Sequence, residues 1–355
     1  MKQKIFSVQY LRGIAALLVV MYHFSFFTPT WFSSLFANGM VGVDVFFIIS
    51  GFIIYFSTKR REECFPSVFL IKRISRIYPL FLVALLANIL LQSGQIPSEQ
   101  VIRGLLVLHN DYTLPAPAFG FNLLPPAWTL TYELAFYALF CLCSAITFSH
   151  RGPLCIVLLL VIPAALQLYF NGSISLNSTV TASPSAHSPF FALIRLSGST
   201  MFYEFAFGIM AGMIFERVKM NLANSTAITT ATLATGVFFY LFFTFSDHTS
   251  GIEGMFFFAA IFFVGVLMLD KSKTGEIKAF SFLGDISYSL YLCHWLVMMA
   301  VQKSIPIGEY QHWGLLVPTM LFSSIVLAFI ANRLIERPCI RFARLTINRE
   351  SVTTQ

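Results

Sequence analysis

Ten runs of mostly apolar residues, each about as long as an α-helix must be to cross a lipid bilayer, divide this chain. A spanning helix takes about 20 such residues, and the runs fall at 8–27, 41–58, 76–92, 128–147, 153–170, 199–215, 226–245, 254–269, 284–302 and 314–334. Backbone in lipid must satisfy its own hydrogen bonds, so the pattern dictates an all-α integral membrane protein with about ten transmembrane helices. Composition excludes the soluble alternative: 57% of the 355 residues are hydrophobic and 11% charged, against about 25% charged in soluble domains. Disordered, collagen-like and disulfide-scaffold chains are excluded by ordinary Gly and Pro numbers and only six Cys. Residues 100–109 are apolar but too short to span, and read as an interfacial or re-entrant piece of the 93–127 segment.

With the first residue in the cytoplasm, ten spans return the last residue there, and every cation can be assigned a side. Twenty fall inside: Lys2, Lys4, Arg12, Lys59, Arg60, Arg61, Lys72, Arg73, Arg76, Arg151, Arg217, Lys219, Lys271, Lys273, Lys278, Arg333, Arg337, Arg341, Arg344 and Arg349. Only Arg103, Arg195 and Lys303 fall outside. This obeys the positive-inside rule, and one missed span would invert everything after it. The net charge of +7 is thereby explained by topology and anionic membrane lipid, without nucleic acid. The basic start is not a cleaved signal, because Arg12, Tyr22 and His23 interrupt the first run and no small-residue cleavage site follows. One polytopic domain over 1–345 with a cytoplasmic tail at 346–355 is expected.

No Cys falls in an outer loop, so no structural disulfide is expected. The sequons at Asn171, Asn177 and Asn224 read as chance occurrences in polar loops, and the Ser- and Asn-rich stretch near 171–188 as a mobile outer loop.

An ionisable residue within a span costs about 2.5–3.5 kcal/mol on insertion scales, so each is a functional candidate. Arg12 and His23 are eleven residues apart, which returns to nearly the same helix face and separates them by about 16 Å. Arg12 is expected at the cytoplasmic headgroups and His23 in the outer half of the bilayer. Glu133, one turn into the fourth span, is placed at the depth of His23, where a carboxylate could orient the imidazole as a base. Asp44 reads as a brace at the start of the second span and Glu204 as a candidate cavity wall. Ser50 and Trp128 complete the expected polar lining. Arg73 and Arg76, at i and i+3 on the cytoplasmic boundary, can hold a phosphate bidentately or serve only as topology determinants. Tyr288, Tyr291 and His294 step by three along the ninth span, forming either a helix-packing network or a channel wall. Nucleotide-binding Gly loops, Ser-nucleophile elbows and Cys/His metal spacings are missing, so no metal is expected.

Six short motifs then fall in order over nearly the whole chain. They are Tyr10-Leu11-Arg12-Gly13 closed by His23, Gly42 to Phe52, Arg73-x-x-Arg76 with Tyr78-Pro79, Trp128-Thr129-Leu130 to Glu133, Ser287 to His294, and Glu336-Arg337-Pro338. In these the chain resembles the acyltransferase-3 family of bacterial integral-membrane acyltransferases, in style closest to its exopolysaccharide-acetylating branch. Thr129 departs from the Ser common in the family but keeps the hydroxyl.

The resemblance implies a multi-pass enzyme of the bacterial inner membrane that transfers an acyl group, usually acetyl from acetyl-CoA, to a hydroxyl of a surface glycan or its lipid-linked precursor. It marks Arg12 and His23 as essential. CoA phosphates are then expected on Arg73 and Arg76, with Arg12 nearby, and His23 as general base beside Glu133 on the acceptor hydroxyl, which attacks the thioester directly or, in a covalent variant, an acetyl-His23. Tyr288, Tyr291 and His294 are expected to line the acyl path. Some relatives carry a further extracytoplasmic domain, whereas this chain runs about twenty residues past the tenth span and is expected to act alone or with partners. A polytopic transporter is the competing class, although no repeat or broken helix pair favours it.

Overall fold

The computed structural model describes residues 5–92, 94–305, 308 and 310–353; Lys2, Lys4 and the Arg349 side chain, assigned above to the inner side, lie outside this description. Fourteen α-helices follow in chain order: α1 Phe6–Phe24, α2 Thr30–Leu35, α3 Val41–Ser57, α4 Pro66–Leu91, α5 Ser98–Leu105, α6 Trp128–Ile146, α7 Arg151–Asn171, α8 Phe191–Ser197, α9 Phe202–Arg217, α10 Asn224–Thr244, α11 Phe256–Leu267, α12 Lys278–Gln302, α13 Trp313–Ala331 and α14 Arg337–Thr353. Among the described residues there is no strand.

Each apolar run forms a helix. Six helical segments are long and apolar enough to cross a bilayer, and the α8/α9 pair, bent by 46°, makes a seventh. The other expected spans are helical as well: α3 has 17 residues, α11 has 12, and the 25-residue α12 carries the polar stripe. Helix α4 starts at Pro66, ten residues before its apolar run, with Pro at its first position, where a missing N–H costs nothing. At the other end of the chain α13 runs through a π turn, Asn332–Glu336, into α14. The Glu336 carboxylate accepts from Ser289 Oγ and Asn332 Nδ2, both at 2.8 Å, which ties α13 to α12 and accounts for the Glu-Arg-Pro motif as a structural link.

The helix ends meet at two faces. At the basic face, Asp270 accepts the Phe6 and Ser7 amides at 2.9 Å each, satisfying orphan N–H groups of α1. There too Lys59 pairs with Glu216 at 3.1 Å, Lys271 donates to the Phe215 carbonyl at 2.7 Å, and Tyr10 accepts the Ile277 amide at 2.7 Å. At the far face Asn38 donates to the Phe242 and Phe245 carbonyls at 2.8 Å, and Arg195 donates to the Leu114 carbonyl at 3.2 Å.

Two close helix contacts fix the centre of the bundle. A Cβ on Gly208 of α9 would lie 2.1 Å from the Ile48 carbonyl oxygen of α3, and one on Gly284 of α12 would lie 2.2 Å from that of Gln9 on α1. Only glycine permits such backbone approach. Helix α1 is accordingly central, with 61% of its apolar window buried, and α7 peripheral with 22%.

Candidate active site

Helices α1, α3, α4, α6 and α12 line a chamber of about 180 Å³. Its polar wall is Gln9, Arg12, Ser50, Arg73, Arg76, Thr129, Glu133, Tyr137, Ser287, Tyr288 and Tyr291. Seven of the twelve residues singled out from the sequence, Ser50 among them, therefore converge on one cavity.

The chamber adjoins a second cavity of about 560 Å³ at the basic face, lined by Ser57, Glu63, Lys72, Arg344 and, again, Arg73 and Arg76. The two arginines thus stand in the passage between vestibule and chamber. Arg73 donates from Nη2 to Ser57 Oγ at 2.7 Å and lies 5.5 Å from both the Phe69 and Tyr137 ring centres, leaving its buried Nε without a partner. Lys72 is paired with Glu63. Glu133 accepts from Ser50 Oγ at 2.7 Å and from the Tyr137 hydroxyl. Tyr288 donates to the Ile77 carbonyl at 2.7 Å, so it is anchored to α4 beside Arg76. The wall holds three guanidinium groups and one carboxylate, a positive, partly desolvated site suited to a polyanion.

At its far end stand Tyr291 and Thr129. Tyr291 donates to the Pro126 carbonyl at 2.9 Å and lies 3.2 Å from Thr129 Oγ1, which reaches the same carbonyl at 3.2 Å. One turn beyond, His23 and His294 face each other, Nδ1 of the first 3.2 Å from Nε2 of the second. Neither lines the chamber. Around His23 stand Tyr22, Phe26 and Trp295, with ring centres at 5.2, 5.9 and 5.6 Å; the Trp295 indole N–H is buried with no protein partner.

This corrects the expected pairing of Glu133 with His23. Thr129 is level with Tyr291, which is three residues below His294, and Glu133 is four residues below Thr129. Seven residues of helix rise about 10 Å, so Glu133 belongs with the arginines and His23 with His294. Hydropathy places a residue within a span but not beside a particular neighbour. Three other residues do not line the chamber. Trp128 is buried with its ring edge-on to Tyr132 at 5.9 Å. Asp44 accepts the Gly251 amide at 2.7 Å, bracing a far-face loop rather than its own helix start. Fully buried Glu204 sits beside it where α3 and α9 cross. Tyr137 and Ser57 were not singled out from the sequence; Tyr137 follows Glu133 by four and Ser57 follows Ser50 by seven, spacings that repeat a helix face.

Fold and cavity together define an all-helical, multi-pass membrane protein built around a cationic internal chamber. Residues 5–333 match the family model described as an acyltransferase domain, and the chain belongs to this acyltransferase-3 family; it is a membrane acyltransferase. It is 28% identical over 327 residues, 87% of this chain and 92% of the relative, to the exopolysaccharide production protein ExoZ of Rhizobium meliloti (strain 1021). It is 27% identical over 345 residues, 92% of this chain and 81% of the relative, to BcsY of Komagataeibacter xylinus, which bears the name of a membrane-bound transacylase. A Staphylococcus aureus (strain COL) protein named as an O-acetyltransferase is 24% identical over 361 residues, 92% of this chain and 56% of the relative. No solved structure matches the chain.

Proposed function

We propose that the protein transfers an acetyl group from cytoplasmic acetyl-CoA to a hydroxyl of a cell-surface polysaccharide or its lipid-linked precursor, acting in the bacterial inner membrane. The observation that carries this reading is the sharing of Arg73 and Arg76 by vestibule and chamber. A donor with a polyphosphate head and a long uncharged arm matches that order of surfaces. Its diphosphate sits on Arg73 and Arg76, with Arg12 facing it across the passage, and its nucleotide occupies the vestibule. The arm runs past Ser50 and Tyr288 toward Tyr291. The names of the relatives, exopolysaccharide production and O-acetyl transfer, support a glycan hydroxyl as acceptor.

His23 is the general base. It is half-buried whereas His294 is fully buried, so an acceptor hydroxyl approaching from the far face meets His23 first. The base removes the hydroxyl proton as the oxygen attacks the thioester carbonyl. The carbon–sulfur bond breaks, and the leaving thiolate takes the proton from the imidazolium. Help of this kind is worth about 10²–10⁴-fold. For the thioester to reach His23, the Tyr291–Thr129 contact must open.

The test is incubation of membranes with radiolabelled acetyl-CoA, followed by identification of the labelled fraction by mass spectrometry. Label on a glycan or lipid-linked glycan, lost in His23→Ala with the variant normally inserted, is the expected result. Undiminished labelling by His23→Ala would sink the mechanism, and no labelled glycan with any acyl-CoA would sink the substrate class.

A further inference from the structure

We propose that His294 is the positioning residue of the reaction, holding His23 in the tautomer whose Nε2 is the free base. This rests on the reading of His23 as base, and assigns His294 a task other than lining the donor path.

The hydrogen-bond partners fix where the protons sit. Nδ1 of His294 lies 3.2 Å from the Leu290 carbonyl oxygen. A carbonyl only accepts, so that nitrogen carries the hydrogen, and in a neutral imidazole the other nitrogen is then a bare acceptor. That acceptor, Nε2, faces Nδ1 of His23 at 3.2 Å. The same Nδ1 lies 2.9 Å from the Val19 carbonyl oxygen, again an acceptor only. Both neighbours of His23 Nδ1 therefore call for a donor, and its single hydrogen is shared between them. The remaining nitrogen, Nε2, is left with its lone pair.

Both constraining carbonyls belong to residues four positions earlier on the same helix, α1 for His23 and α12 for His294, so the tautomers are set by rigid elements. The alternative tautomer of His23 would turn a lone pair toward two acceptors. Aromatic rings pack against the pair: Tyr22, Phe26 and Trp295 against His23, Phe24 and Tyr291 against His294. None of these neighbours is a carboxylate, so the neutral imidazole of His294 fills the place that an aspartate takes in a Ser-His-Asp triad, fixing orientation and tautomer. When Nε2 of His23 takes the hydroxyl proton, the imidazolium donates through Nδ1 to His294 and Val19; when Nε2 returns the proton to the thiolate sulfur, the pair is as it began.

The experiment compares His294→Phe, which keeps an aromatic ring but no acceptor, with His294→Gln, which restores a carbonyl acceptor, and with His23→Ala. We expect His294→Phe to lower kcat by about 10²-fold or more with the donor KM unchanged, and His294→Gln to regain part of that loss. A purely structural role would move KM or the yield of folded protein and would not respond to the restored acceptor. Unchanged kcat in His294→Phe, with His23→Ala inactive, overturns the positioning role and leaves the base intact; full activity in His23→Ala overturns the base itself. Wild-type protein gives an independent readout in diethyl pyrocarbonate labelling, which attacks bare imidazole nitrogen. His23 is expected to react first, and faster labelling of His294 overturns the assignment whether or not the variants fold.

Discussion

The hydroxyl of Tyr291 lies 3.2 Å from Oγ1 of Thr129, and both reach the carbonyl of Pro126. This three-way contact separates the arginine-lined chamber from the two histidines. On the proposed route, an acyl group in the chamber reaches the histidines, and water from the far face reaches it, only when the contact parts. Tyr291→Phe removes the hydroxyl that makes two of the three bonds while keeping the ring against Phe46, 5.7 Å away. The expected outcome is a severalfold rise in acceptor-independent hydrolysis of acetyl-CoA relative to transfer, followed by thiol release in detergent. An unchanged ratio would show that the contact is not the barrier.

Glu133 distinguishes two mechanisms. Its carboxylate takes the Ser50 and Tyr137 hydroxyls and stands in the chamber with Arg12, Arg73 and Arg76, about 10 Å of helix rise from His23. Glu133→Gln keeps an acceptor for both hydroxyls and removes one negative charge from the donor site. The donor KM is expected to change more than kcat, with kcat held within about tenfold of wild type, below the 10²–10⁴-fold that an acid–base group typically contributes. A kcat loss as deep as that of His23→Ala would return Glu133 to the proton-transfer step.

These cases also mark how far the sequence was readable. Each apolar run contains a helix, six or seven of them long and apolar enough to cross a bilayer, because such a run in lipid must satisfy its backbone hydrogen bonds internally; the short α2 and α8 and the polar α14 left no such signal. The runs misjudged ends: α4 begins at Pro66 and α12 at Lys278, since hydropathy reports apolar length and a helix continues through Lys72, Arg73 and Arg76 regardless. The chamber was legible because few ionisable residues lie within spans, so Arg12, Arg73, Arg76 and Glu133 stood out. Their neighbours were not. The partner of His23 is 271 positions away, on a helix that packs against α1 through Gly13 and Gly284, and nothing in one-dimensional spacing brings the two rings together. Asp44 and Glu204 had the right depth and the wrong face.

The α3/α9 crossing gives a prediction about folding alone. A Cβ at Gly208 would meet the Ile48 carbonyl oxygen at 2.1 Å, backbone that cannot rotate aside, whereas Gly236 on α10 has nothing within 4 Å. Gly208→Ala is expected to destabilise by about 1–3 kcal/mol, the range for overpacking a filled interior, and to lower the midpoint of thermal aggregation in detergent. Gly236→Ala is expected to leave the midpoint unmoved. Equal behaviour of the two variants would contradict the close crossing.

Arg73 and Arg76 share the passage but are held differently, so replacing each by lysine separates charge from shape. Arg73 is fixed by Ser57 and by two rings, with a buried Nε left for a ligand. A lysine there keeps the charge but loses the planar fork and its stacking. Arg76 has no protein hydrogen bond among the described residues and lines both cavities, so its contribution is chiefly charge, which lysine supplies. Arg73→Lys is therefore expected to weaken binding of CoA at least tenfold, since one charge-assisted hydrogen bond is worth about 1.5–3 kcal/mol. Arg76→Lys is expected to weaken it less than threefold, with the double alanine variant weaker than either. Isothermal titration of the detergent-solubilised protein with CoA measures all three. Equal tolerance of lysine at both positions would reduce Arg73 to a point charge, and unaltered CoA affinity in the double alanine variant would leave both arginines as topology determinants and remove the passage as the donor site.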